Sequence, residues 1–137
     1  MRYKFRAYDE SNEVMEYGVG VDKGRPVKEG YQLYNIENTV YHSQLMQYTG
    51  LTDRIGRDIY EGDIVSFEKT FISPMDRKTV LHLVKNYIVD KSKGVYGLRK
   101  IGKPIDEYPH PLYYEVGHIE VIGNIYQHKH LLKENEK

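Results

Sequence analysis

The stretch Leu45-Met46-Gln47-Tyr48-Thr49-Gly50-Leu51-Thr52-Asp53-Arg54-Ile55-Gly56-Arg57-Asp58-Ile59-Tyr60-Glu61-Gly62-Asp63-Ile64-Val65 decides the fold. Thr49-Gly50 interrupts an extended run, and Asp53-Arg54-Ile55-Gly56 reads as a four-residue turn. In such a turn the aspartate accepts backbone N–H bonds and the glycine is free to take positive φ. Ile59-Tyr60 is a short strand. Glu61-Gly62-Asp63 is a second tight turn, from which Ile64-Val65-Ser66-Phe67 leaves as another strand. Two tight turns joined by a brief β-rich strand give the cadence of a small, strongly bent barrel.

Outward from this stretch the chain stays β-rich. Residues 2–8 alternate, with Arg2, Lys4 and Arg6 on one face and Tyr3, Phe5 and Ala7 on the other, which predicts a half-buried strand with a basic outer face. Asp9-Glu10-Ser11-Asn12 turns the chain into a return strand over Val14–Val21, making a hairpin. Residues 31–37 and 39–48 are further extended candidates, and Gln44–Tyr48 also fits one helical turn. Residues 79–89 suit either period. Val80, Leu81, Val84, Tyr87 and Ile88 fit a helical stripe, yet the β-branched content and the apolar residues on both faces favour a strand buried on both sides. The expectation is a strand. Lys91-Ser92-Lys93-Gly94 then turns into Val95–Lys100, a proline-punctuated loop covers 101–111, and strands are predicted at 112–116 and 118–126. His128–Lys137 is a short helix or a frayed tail.

Composition narrows the chemistry. The 137 residues include no cysteine, which excludes disulfides, thiolate nucleophiles and cysteine-ligated metals. No apolar run reaches the ~18–20 residues of a membrane span, and Met1-Arg2-Tyr3-Lys4-Phe5-Arg6 lacks the apolar core of a signal peptide. A soluble, cytoplasmic protein without membrane contact is expected. His128 with His130, and His118 with Glu120, share strand spacing, but a metal needs three or four converging ligands, so no metal or cofactor is expected. Glu61 and Asp63 flank a glycine in a solvent-facing turn, where nothing separates their pKa values for acid–base work. Neither a nucleophile elbow nor a phosphate-binding glycine loop is present.

Charge and aromatic residues supply the better leads. There are 14 tyrosines against three phenylalanines and no tryptophan, which suits a thin β core reaching a polar surface, or contacts with bases or a partner protein. Lys+Arg and Asp+Glu balance at 20 each, but residues 77–103 hold eight bases against Asp90 alone. Arg77, Lys78, Lys85, Arg99, Lys100 and Lys103, interleaved with Tyr87 and Tyr96, are candidate contacts for single-stranded nucleic acid or a partner. Acidic residues prevail over 7–68, so association of acidic with basic segments is the competing use of the block. Lysines keeping strand edges soluble are the plainer one.

Three motifs carry a family resemblance. Lys4-Phe5-Arg6-Ala7-Tyr8-Asp9, the run from Leu45 to Val65 and Glu120-Val121-Ile122-Gly123-Asn124-Ile125-Tyr126 together resemble the YopX-like proteins of bacteriophages and prophages. Tyr8 stands where that family often has tryptophan, and residues 69–111 match none of its motifs. The resemblance implies a mainly β protein with an SH3-like barrel, found in phage genomes, which self-associates and has no established activity. It carries over no catalytic residue. The signature positions Gln47, Tyr48, Thr49, Gly50, Asp53, Gly56, Tyr60, Glu61, Gly62, Asp63, Gly123 and Asn124 read as turn and core residues, so the motif defines a scaffold. We expect an N-terminal β-hairpin appendage over 1–52 and a barrel with a short tail over 53–137. The expected function is non-enzymatic: a phage accessory protein working through self-association or a phage or host protein. A nucleic-acid-binding barrel using 77–103 is the alternative, and a hydrolase a distant third.

Overall fold

The Asp53 turn is where the chain first commits to a curved sheet, and its hydrogen bonds show how. In a computed structural model describing residues 4–10, 12–22, 25–28, 31–32 and 45–133, Asp53 is buried. Its Oδ1 accepts the N–H groups of Ile55 and Arg57 at 3.0 and 2.9 Å. Its Oδ2 accepts that of Val121 at 2.8 Å, and Arg54 N–H donates to the Ile119 carbonyl. One carboxylate thus shapes the turn and ties it to a strand nearly seventy residues away.

The strands are β1 (Phe5–Asp9), β2 (Val14–Asp22), β3 (Arg25–Lys28), β4 (Tyr31–Gln32), β5 (Leu45–Thr52), β6 (Asp58–Tyr60), β7 (Asp63–Ile72), β8 (Val80–Ser92), β9 (Val95–Lys100) and β10 (Ile119–Asn124). They form a six-stranded sheet in the order β4-β3-β2-β1-β5-β6 and a four-stranded sheet in the order β10-β7-β8-β9. The fold is mainly β and barrel-like. Ile59, Val65, Phe67, Val89, Leu112 and Ile119 fill the core, with Leu51, Tyr87, Tyr96, Leu98, Val116 and Val121 packed around them. Burying each such aliphatic or aromatic side chain contributes about 1.5–3 kcal/mol. The expected division after residue 52 falls at the end of β5, and the first sheet runs through it, since β5 pairs with β1 on one side and β6 on the other.

The structure revises several expectations. Arg6 does not lie on a basic outer face: it is 2% exposed, because its guanidinium crosses to the second sheet and pairs with Asp63 at 2.7 Å. Asp63, expected at a solvent-facing turn, is 1% exposed, and its Oδ2 accepts the Tyr60 N–H at 2.8 Å. Burial pushes its carboxyl above the ordinary range, against the pull of Arg6.

Residues 112–116 make no strand. Prolines at 109 and 111 remove backbone donors, and the segment folds as two 3-10 turns, Leu112–Tyr114 and Val116–His118, that drive Leu112 into the core. Of residues 79–89, all but Thr79 lie in a strand, β8. It is buried on both sides only near Ile88 and Val89, however, and exposed from Val80 to Val84. Of the segments 31–37 and 39–48, Tyr31–Gln32 form β4 and residues 45–48 open β5, while 33–44 lie outside the described residues. Lys129–Lys133 form a 3-10 helix, and 134–137 also lie outside them.

Candidate interaction surface

The signature residues form a clasp between the sheets. Gln47 N–H donates to Glu61 Oε1 at 3.3 Å, and Gln47 Oε1 accepts the Tyr96 hydroxyl at 3.0 Å. Burial pushes the Tyr96 hydroxyl up to about 12, helped by the charge of Glu61, so it stays a proton donor. Thr49 Oγ1 donates to the Ile59 carbonyl. Tyr60 lies under the Arg6 guanidinium at 4.8 Å and beside Tyr48. Gly50, Gly56 and Gly62 all take positive φ. At Gly62 the requirement is double, because φ is +88° and a Cβ would sit 2.8 Å from Met46 Sδ. Gly123 is needed for approach instead: the His128 ring lies where its Cβ would be, at 2.6 Å. Asn124 completes that corner, its Oδ1 accepting the N–H groups of Tyr126 and Gln127 and its own N–H donating to His128 Nδ1. Each of these groups is engaged in holding the fold.

The basic candidates do not gather on one surface. Arg77 and Lys78 sit at the tip of the β7–β8 hairpin, Arg77 in a left-handed conformation with φ +58°. Lys85 lies over the Tyr87 ring at 5.8 Å, and Lys100 pairs in register with Tyr87. Arg99 is one residue out of step and so faces the opposite side. There its Nε holds Asp90 at 2.8 Å and its Nη1 donates to the Lys103 carbonyl. Tyr96 is committed to Gln47. Some nine strand residues, about 30 Å at ~3.4 Å each, separate the tip from the Tyr87 group.

Sequence reasoning missed the hairpin itself. β10 pairs with β7 only as far as Phe67, and β9 pairs with β8 only from Tyr87 onward. Residues 68–72 and 80–84 therefore stand out as a two-stranded arm, in register from Glu68↔Val84 to Ile72↔Val80. Among the described residues no strand pairs with either outer edge. Opposed residues share a face, so Phe71, Leu81 and Leu83 lie on one side, and Ile72, Val80 and Val84 on the other. The second group is 61%, 66% and 58% exposed. On that face His82 bonds Thr70 Oγ1 at 2.8 Å and meets Glu68 at 3.2 Å. A sharp turn closes the tip. Asp76 Oδ1 accepts the N–H groups of Lys78 and Thr79, Asp76 Oδ2 accepts the Thr79 hydroxyl, and Met75 is left 94% exposed. The signal was present in the sequence as apolar residues on both faces of 80–84. Their meaning turned on whether neighbouring strands reach that far, which pattern alone does not reveal.

Comparison with known proteins adds a family and a fold. The family model described as "YopX protein" matches residues 4–133. A solved structure, protein EF1440 from Enterococcus faecalis, is 19% identical and superposes with a TM-score of 0.59, covering 97% of this chain and 99% of that one. At that identity the likeness is one of fold. No curated protein matches the chain. No helix among the described residues is long and apolar enough to cross a membrane.

Proposed function

From the premise that the chain belongs to the YopX family, we propose that it is a non-enzymatic accessory protein of bacteriophages and prophages, working in the host cytoplasm through protein contacts made by the β7–β8 arm. The observation that supports this reading is the arm's surface: six apolar side chains on two exposed faces of a ribbon whose outer edges pair with no strand among the described residues. Isolated two-stranded ribbons are marginal in water, and three or more strands or a packed face are needed for stability. Contiguous exposed apolar surface of this kind marks an interaction site.

The test is capture by tagged protein from phage-infected cells, with and without nuclease, comparing wild type with the Leu81→Lys/Leu83→Lys variant. Nuclease-resistant protein partners that the variant loses support the reading. Undiminished capture by the variant overturns the arm as the contact surface. A second reading, single-stranded nucleic-acid binding, draws on Lys85 and Lys100 flanking Tyr87. It requires nuclease-sensitive capture, with affinity falling by a log–log slope of about 0.7 per phosphate contact as salt rises.

A further inference from the structure

Resting on the reading of the arm as a contact surface, we propose that the partner of its β8 edge is a second copy of this chain, paired antiparallel about a two-fold axis at His82. The segment Val80-Leu81-His82-Leu83-Val84 is a palindrome. A two-fold interface is self-complementary: residue i meets j, and j meets i. Centred at His82, it sets Val80 against Val84 of the second copy, Leu81 against Leu83, and His82 against its own equivalent. Each opposed pair outside the centre is aliphatic on aliphatic. Extending the register opposes Thr79 to Lys85 and Lys78 to Asn86, so no like charges meet directly.

The other edge of the arm lacks this property. A two-fold axis centred at Thr70 in Glu68-Lys69-Thr70-Phe71-Ile72 would set Glu68 against Ile72 and Lys69 against Phe71, leaving charges facing apolar groups. Edges that must stay unpaired carry lysine, proline, a bulge or an inward charge. Residues 79–84 carry none of these, and the lysine of this edge, Lys85, lies outside the palindrome and opposite Thr79; β7–β8 runs in unbroken register from Ile64↔Ile88 to Ile72↔Val80. Pairing two β8 edges converts two marginal ribbons into one four-stranded sheet. Its faces would join Ile72, Val80 and Val84 of both copies on one side, and Phe71, Leu81 and Leu83 on the other.

The experiment uses the absence of native cysteine. Residues directly opposed in an antiparallel pair have Cα atoms about 4.5–5.5 Å apart, within the ~4.4–6.8 Å span of a disulfide. Oxidation of full-length His82→Cys with oxidised glutathione should therefore give a covalent dimer, whereas Met75→Cys, which does not oppose itself, should not. Sedimentation of the wild type should show a dimer, and His82→Lys, which opposes two cations, should raise its dissociation constant by about two- to fivefold. Position 82 is exposed and far from the core, so circular dichroism of both variants should match wild type. A wild type that stays monomeric at high concentration overturns the proposal, as does a dimer that neither links through position 82 nor responds to His82→Lys. If the wild type is monomeric but arm-dependent protein capture persists, only the identity of the occupant fails. If the arm dimerises and captures nothing else, the occupant stands and the wider accessory role fails.

Discussion

Arg6 is the side chain whose placement asks most of this fold, since it brings a permanent charge into the junction of the two sheets. Its partner Asp63 lies 2.7 Å away, its Nη2 also donates to the Glu61 carbonyl at 3.3 Å, and the Tyr60 ring covers it. Replacing such a pair by apolar groups is often neutral, but removing one partner leaves a buried charge and costs about 3–5 kcal/mol. Arg6→Met should therefore be strongly destabilising in urea at pH 7. The deficit should shrink as pH falls towards 4. Burial already raises the Asp63 carboxyl, and loss of Arg6 removes the nearest opposing influence. A carboxyl raised in the folded state contributes its stability below its unfolded value near 4, and that contribution is lost as pH rises through the folded value. Arg6→Met/Asp63→Asn should regain most of the loss at pH 7, and an equal deficit at pH 4 and pH 7 would contradict this assignment. Alternation alone put Arg6 on the outer face. A buried arginine is legible only once its carboxylate is located on a strand fifty-odd residues away, and the local pattern of β1 carries no trace of Asp63.

Elements defined by turns were the most readable. The Asp53 and Gly62 turns appear as expected because they depend on residue types acting within a few positions: a side-chain acceptor and a backbone free to take positive φ. Elements defined by neighbours were not. Residues 112–116 have strand-like composition but two prolines before them and no edge to join beyond the single bridge of Gly97 with Pro111, so they become 3-10 turns. Of the arm, only the β8 half was read as strand, and not as exposed; the strand from Ile64 was expected to end at Phe67, whereas β7 runs on to Ile72. Its tip offers a local test, because the Thr79 hydroxyl, together with the N–H groups of Thr79 and Lys78, lowers the Asp76 carboxyl to about 2. A lowered carboxyl contributes its stability above its unfolded value near 4 and loses it as pH falls through the folded one. The protection of the Lys78 and Thr79 amides, measured as exchange relative to the intrinsic rate at the same pH, should therefore fall in Asp76→Ala at neutral pH and, in wild type, as pH falls from about 4 to 2. Exchange in β10 should not change in Asp76→Ala. Unaltered protection at the tip in that variant would remove Asp76 from its role as the clamp.

For the whole molecule, the balance of charge says less than its apolar surface. The excess of bases over 77–103 suggested association with the acidic segments, which would weaken with salt. Yet Arg99 and Lys93 have acidic partners within the chain, Asp90 and Glu107, and the remaining bases are spread between the arm tip and the barrel. An interface made by the β8 edge should hold as ionic strength rises from 0.1 to 1 M, over which the Debye length falls from about 10 to about 3 Å. Light scattering across that range checks it: dissociation at high salt would return the interface to the charged segments. The long-range ties described above also set an order of events during synthesis. Asp53 cannot complete its bonds until Val121 exists, and Leu112 and Ile119 arrive last in a core otherwise supplied by earlier strands. Contacts so distant in sequence make for slow folding. The nascent chain therefore carries its β7–β8 ribbon, with its uncharged apolar edge, before the barrel that anchors it can close, and many copies emerging from one message would meet through that ribbon first.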